Sequence, residues 1–172
     1  LIMIIPLLTM RMFSEERKDG TEQLLLTAPR SVTSIVLGKF FAALIVFLIA
    51  VVLTLIYYVI LMFLGSPNIK TSLVTMLGFI LLGAALISFG MFASSITENQ
   101  VIAAIISIAF YVITWMGTPY LGKGLEPLGL MNMFNRFGNG QIACTEVVAF
   151  LSYTVLFLSL IHISEPTRLA LI

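Results

Sequence analysis

The stretch Phe40-Phe-Ala-Ala-Leu-Ile-Val-Phe-Leu-Ile-Ala-Val-Val-Leu-Thr-Leu-Ile-Tyr-Tyr-Val-Ile-Leu-Met-Phe-Leu64 contains no Asp, Glu, Lys, Arg, His, Gly or Pro. A helix of this length, at 1.5 Å per residue, reaches about 37 Å and exceeds the roughly 30 Å hydrocarbon core of a bilayer. Backbone inside lipid must satisfy its own hydrogen bonds, so the stretch is predicted to be a membrane-spanning helix. Downstream, Leu73–Ala93 and Val101–Met116 are likewise free of charge, and Val147–Ile161 is apolar but short for a full crossing. Upstream, Leu1–Met10 reads as the tail of a further span. It lacks the basic start and small-residue cleavage site of a signal peptide.

Composition agrees with lipid as the solvent. Of 172 residues, 60% are hydrophobic and 10% charged, too few charges to coat a soluble domain of this size. A formal net charge of +1, with no isolated basic cluster, speaks against nucleic acid as a partner. One cysteine, Cys144, rules out an internal disulfide and a cysteine metal cage; one histidine, His162, cannot build a triad or metal site with partners the sequence lacks. The fold class is therefore all-α, a polytopic transmembrane helical bundle of about four spans plus the tail of another. No catalytic, cofactor-binding or metal-binding residues are assigned.

Basic residues orient the bundle. Arg11, Arg17, Lys18, Arg30 and Lys39 fall between the first two apolar stretches, and the other connections are poorer in Lys and Arg. Short basic loops stay on the cytoplasmic side, which places 11–39 inside, 65–72 outside, 94–100 inside and 117–146 outside. Tyr111, Trp115 and Tyr120 then fall at the outer interface, where amphipathic rings prefer to sit. Small residues one turn apart mark helix-packing faces: Ala84 with Ser88, Gly90 with Ser94, and Ala103 with Ser107.

The cytoplasmic segment has its own grammar. Asp19-Gly20 is a helix stop, since glycine accepts the left-handed conformation. Thr21 can cap a new short helix with Glu22 in its first turn; Leu24, Leu25 and Leu26 form its apolar patch, and Pro29 ends it. Ser31 can cap the helix that enters the membrane near Lys39. Two readings stand: an interfacial elbow whose leucines dip into the headgroups, or a docking helix seated in a groove of a cytoplasmic partner.

The run Pro6-Leu-Leu-Thr-Met-Arg-Met-Phe-Ser-Glu-Glu-Arg-Lys-Asp-Gly-Thr-Glu-Gln-Leu-Leu-Leu-Thr-Ala-Pro29, followed by Leu37-Gly-Lys-Phe40, resembles the ABC-2 family of transport permeases. Glu16-Arg17, Gly20-Thr21, Leu25-Leu26, Pro29 and Leu37-Gly38-Lys39 stand where that family carries Glu-Arg-x-x-Gly-Thr, Leu-Leu-x-x-Pro and Leu-Gly-Lys. The likeness continues to about Ile161 through Glu98-Asn99-Gln100, Pro127 and Phe134-x-x-Phe137-Gly138. It is similar to bacterial permeases of the gliding-motility and nitrous-oxide-accessory type.

The resemblance implies a fragment of a six-span subunit in the bacterial cytoplasmic membrane. Such a subunit pairs with a second permease subunit, as homo- or heterodimer, and with a cytoplasmic ABC ATPase that carries the ATP and magnesium. On this chain the coupling role falls on Glu15, Glu16, Arg17, Gly20, Thr21, Leu24 and Leu25. Residues 1–161 form the permease domain, lacking the first span and most of the second. Leu128–Phe137 corresponds either to the family's partly re-entrant outer helices or to a plain extracellular loop. The alternative function is a membrane scaffold or assembly factor without a transport path.

Three near misses are set aside. Gly117-Thr-Pro-Tyr-Leu-Gly-Lys-Gly124 lacks the Ser/Thr of a phosphate-binding loop and follows a membrane helix rather than a strand. Glu15-Glu16 resembles the paired glutamates of intramembrane proteases but has no histidine in the spans to complete a metal site. No span carries an acidic residue, which argues against ion coupling and for an external energy source. Finally, Ser164-Glu-Pro-Thr-Arg interrupts the last apolar run, and 162–172 reads as a non-native tail resembling adapter read-through.

Overall fold

The computed structural model describes residues 2–19, 32–65, 68–117, 129–142 and 144–169, and among them there is no strand. Two short helices, α1 (Ile4–Thr9) and α2 (Ser14–Lys18), lead into the long helices α3 (Val32–Leu64) and α4 (Ile69–Ile96). Helix α5 (Gln100–Val112) ends in a π-helical turn, Ile113–Gly117; α6 (Leu130–Gly138) is short, and α7 (Cys144–Leu169) closes the bundle. The protein is an all-α polytopic bundle.

Caps fix the connections. Helix α3 stops before Gly65, and α4 restarts at Asn68, whose side-chain oxygen accepts from the amides of Lys70 and Thr71. At the far end, Thr97 is extended and Asn99 accepts from the amide of Val101 at 2.9 Å, so Thr97–Asn99 forms the tight hairpin between α4 and α5. The Ser31 cap expected for α3 lies outside the described residues.

Helix α4 is the axis of the bundle, packing against α1, α2, α3, α5, α6 and α7. Half of its most apolar stretch is buried within the chain, against 11% for α3, whose apolar surface is left to lipid. Aromatic rings tie the layers together. Phe89 of α4 stacks on Phe110 of α5 at 3.6 Å and meets Phe157 of α7 at 5.0 Å; nearer the other end, Phe79 touches Phe47 of α3 and Phe134 of α6.

Three sequence expectations need adjustment. Thr33–Leu64, Ile69–Ile96 and Cys144–Ser164 are long and apolar enough to span, whereas Gln100–Trp115 is the shorter apolar helix. The last span gains length because Cys144–Glu146 and His162–Ser164 continue the helix on either side of the apolar run. The third apolar stretch keeps the length expected for Val101–Met116, but its regular α-geometry ends at Val112 and passes into the π turn Ile113–Gly117. There Thr114 turns its hydroxyl back onto the carbonyls of Phe110 and Tyr111, within the π turn.

Tyr111 is the third correction. It is buried, and its hydroxyl donates to the carbonyl of Leu86 at 2.6 Å, so the ring belongs to the α4–α5 core rather than an interface. Trp115 is half exposed, and Tyr120 lies outside the described residues. The stretch left open as outer helix or loop is helical from Leu130, with Leu130 and Phe137 buried and Asn132, Asn135 and Arg136 outward.

Candidate functional site

The chain concentrates its described polar chemistry at the elbow between α1 and α2. Helix α1 packs into α4 because Gly90 has no side chain: a Cβ there would run into the Thr9 side chain and come within 3.1 Å of the Tyr111 hydroxyl. Beyond Thr9 the chain turns, and the amides of Phe13 and Ser14 at the start of α2 need acceptors. Both donate to Ser94 Oγ of α4, at 3.1 Å each, and that hydroxyl donates to the carbonyl of Met10 at 3.0 Å. The full capacity of one serine, two acceptor sites and one donor, is used. Ser14 Oγ also donates to the Met10 carbonyl.

Lys39 holds the same elbow from α3. Its ammonium donates to the Met12 carbonyl at 2.5 Å, pairs with the Glu16 carboxylate, and lies 4.1 Å over the centre of the Phe13 ring. A lysine at the edge of an apolar helix must find such partners or reach for water. Its side chain is 17% exposed, so it has found partners.

The residues expected to couple to a partner therefore separate. Glu15 is exposed; Glu16 is half-buried and engaged; Arg17 belongs to α2. Gly20, Thr21, Leu24 and Leu25 lie outside the described residues, as does the short helix expected there. The packing residues Ser88, Gly90, Ser94, Ala103 and Ser107 are buried and Ala84 is half-buried. Ala103, Ser107 and Tyr111 together make the buried stripe of α5, at i, i+4 and i+8. Lys39 and Phe13 were missed as site residues. The usable signal was a lone cation at the mouth of a charge-free helix, with a glutamate on the preceding elbow.

At the opposite end of α4, α6 is seated by a second close approach. A Cβ on Gly78 would lie 2.6 Å from Phe137, and Thr75 Oγ1 donates to the Phe137 carbonyl at 3.2 Å. Arg136 pairs with the buried Glu146 of α7 at 2.7 Å. Two cavities open beside these helices. One of about 450 Å³ is lined by Leu82, Leu86, Tyr111, Trp115 and Phe134 among others, the second of about 440 Å³ by Thr54, Tyr58, Thr71, Ser72 and Thr75 among others. Among the described residues neither has a charged one in its lining. Among the described residues no group of three or more His, Cys, Asp or Glu could hold a metal ion.

Compared with known families, residues 1–167 match the model described as ABC-2 family transporter protein. No curated protein and no solved structure matches the chain.

Proposed function

The chain belongs to the ABC-2 transporter family, and from that membership we propose that it is the permease subunit of an ATP-driven exporter. Family membership and the apolar helices make it a multi-pass membrane protein of permease type whose partner class is an ATP-binding subunit. The finer reading is that ATP and magnesium act on that separate subunit, in a bacterial cytoplasmic membrane. Two permease subunits, identical or different, then form the path for substrate. The observation that carries this reading is the family match across a chain in which nine of the 17 charged residues lie between Arg11 and Lys39.

Mechanically, the elbow is suited to receive force. Its exposed charges on α2 and just beyond, Glu15, Lys18 and Asp19, are available to a partner, while its backbone is tied to α3 and α4. Movement of an ATPase pair would tilt those helices and open a path toward the exterior. The test is topological and biochemical. A cysteine beside Gly20, in a Cys144→Ala background, should react with a membrane-impermeant maleimide only after permeabilisation. Charge reversal at Glu15 and Arg17 should reduce the ATP hydrolysis stimulated by the permease without affecting membrane insertion. Labelling from outside intact cells would overturn the assignment.

A further inference from the structure

Among the α2 charges whose side chains are described, Glu16 differs from Glu15 and Lys18. The latter two are exposed, whereas Glu16 is 30% exposed and its carboxylate meets the Lys39 ammonium. The same ammonium donates to the Met12 carbonyl and covers the Phe13 ring, so one cation of α3 grips three successive parts of the elbow. Ser94 grips it from α4 through Met10, Phe13 and Ser14. Between Met10 and Glu16 the chain is thus bonded to two different spanning helices.

We propose that Lys39 and Ser94 are positioning residues for coupling, with Glu16 the internal partner of Lys39 rather than a contact for the ATPase. Docking then belongs to the exposed charges Glu15, Lys18 and Asp19. This deepens the permease reading and rests on it. Its physical core is that a push on α2 reaches α3 and α4 only while the elbow is bonded to both. Breaking the pair, a charge-assisted hydrogen bond, should lower the ratio of pinned to unpinned elbow by about tenfold, which corresponds to about 1.4 kcal/mol.

The experiment uses the full subunit with its ATPase in lipid nanodiscs. Arg11, exposed on the elbow, is replaced by cysteine in a Cys144→Ala background and carries a nitroxide spin label. Variants are E16K, K39E, the exchanged pair E16K/K39E, the milder E16Q, and E15K for comparison. The readouts are label mobility, co-purification of the ATPase, and ATP hydrolysis relative to the ATPase alone. E16K, E16Q and K39E should free the label and lower stimulated hydrolysis while the ATPase still co-purifies. The exchanged pair should restore both readings only in part, since a glutamate at position 39 cannot donate to the Met12 carbonyl and the ring contact of Lys39 is not rebuilt. E15K should weaken co-purification and leave the label immobile.

If E16K and E16Q lose the ATPase with the label still immobile, Glu16 is a docking residue and the proposal is wrong. Failure of the exchanged pair to restore either reading would overturn it too. A wild-type subunit with an immobile label and no bound ATPase would sink the permease reading, and the positioning role with it, while the ion pair itself stands.

Discussion

Replacing Ser94 by alanine isolates the contribution of one hydroxyl to the elbow. The change removes the acceptor of two amides, Phe13 and Ser14, and the donor to Met10, whose carbonyl keeps the Ser14 hydroxyl. Phe13 and Ser14 are buried, so water does not readily replace the lost acceptor. A buried donor without a partner costs about 1–3 kcal/mol. Taking the lower figure for each amide, because the elbow borders exposed residues, gives roughly 2 kcal/mol for the pair. That free energy corresponds to an about 30-fold larger population of locally open elbow. Hydrogen exchange by mass spectrometry, on the protein in nanodiscs, should show the peptide containing Phe13 and Ser14 exchanging faster by that factor. Ser88→Ala is the control: Ser88 is equally buried but donates only to Ala85 of its own helix, so the elbow peptide should not change. Equal exchange in wild type and S94A would refute the claim that Ser94 caps α2.

Gly90→Val drives a branched side chain into Thr9 and should cost about 1–3 kcal/mol by overpacking; thermal unfolding in detergent should register the loss, and Gly38→Ala, inside a helix with nothing near its Cβ, should instead hold or raise stability by up to about 1 kcal/mol. Tyr111→Phe removes the bond to the Leu86 carbonyl and should destabilise by about 1 kcal/mol, measured the same way. Arg136→Ala leaves buried Glu146 with the Thr145 hydroxyl but no cation among the described residues; because Arg136 itself is 64% exposed, the stability loss should stay near 1 kcal/mol. Salt should weaken the wild-type pair and narrow the difference.

The helices were readable because apolar runs of bilayer length admit no other backbone solution. Which face of each helix turns inward was largely not readable. Along Phe40–Leu64 almost every residue is apolar, so composition does not distinguish buried Phe47 from exposed Ile49. Small residues were the exception, since Gly90, Ala103 and Ser107 announce close approach by size alone. Tyr111 misled because an aromatic ring near a helix end suits an interface, yet its hydroxyl sits against the Leu86 carbonyl in the core. Helix α6 was legible in principle: Leu130, Met133, Phe134 and Phe137 recur at helical spacing, with Asn132, Asn135 and Arg136 between them. Nor does any spacing rule announce Glu16 with Lys39, a contact across 23 residues made by tertiary folding.

The distribution of hydroxyls explains why so few residues govern the arrangement. Thr9, Ser88, Ser107 and Thr154 all donate to carbonyls of their own helices three or four residues back. Those bonds satisfy the hydroxyl without choosing a neighbour. Ser94 and Tyr111 instead bond across elements, to the elbow and from α5 to α4, and Thr75 shares its hydroxyl between the Thr71 carbonyl of its own helix at 2.9 Å and the Phe137 carbonyl of α6 at 3.2 Å. Lys39 and Arg136 add two ionic ties. Each cross-helix hydroxyl bond contributes modestly in lipid, about 0.6 kcal/mol on average, so their sum is a small part of bundle stability. Their weight lies in register. Lipid-facing apolar helices can slide or rotate against one another at little cost, because each face offers similar dispersion contacts. A bond that exists in one alignment alone removes that freedom. Ser94 and Gly78 are about 24 Å apart along α4 at 1.5 Å per residue, so α4 is held to the elbow at one end and to α6 at the other. An elbow displaced by a partner must then either carry α3 and α4 with it or break the Lys39 and Ser94 bonds.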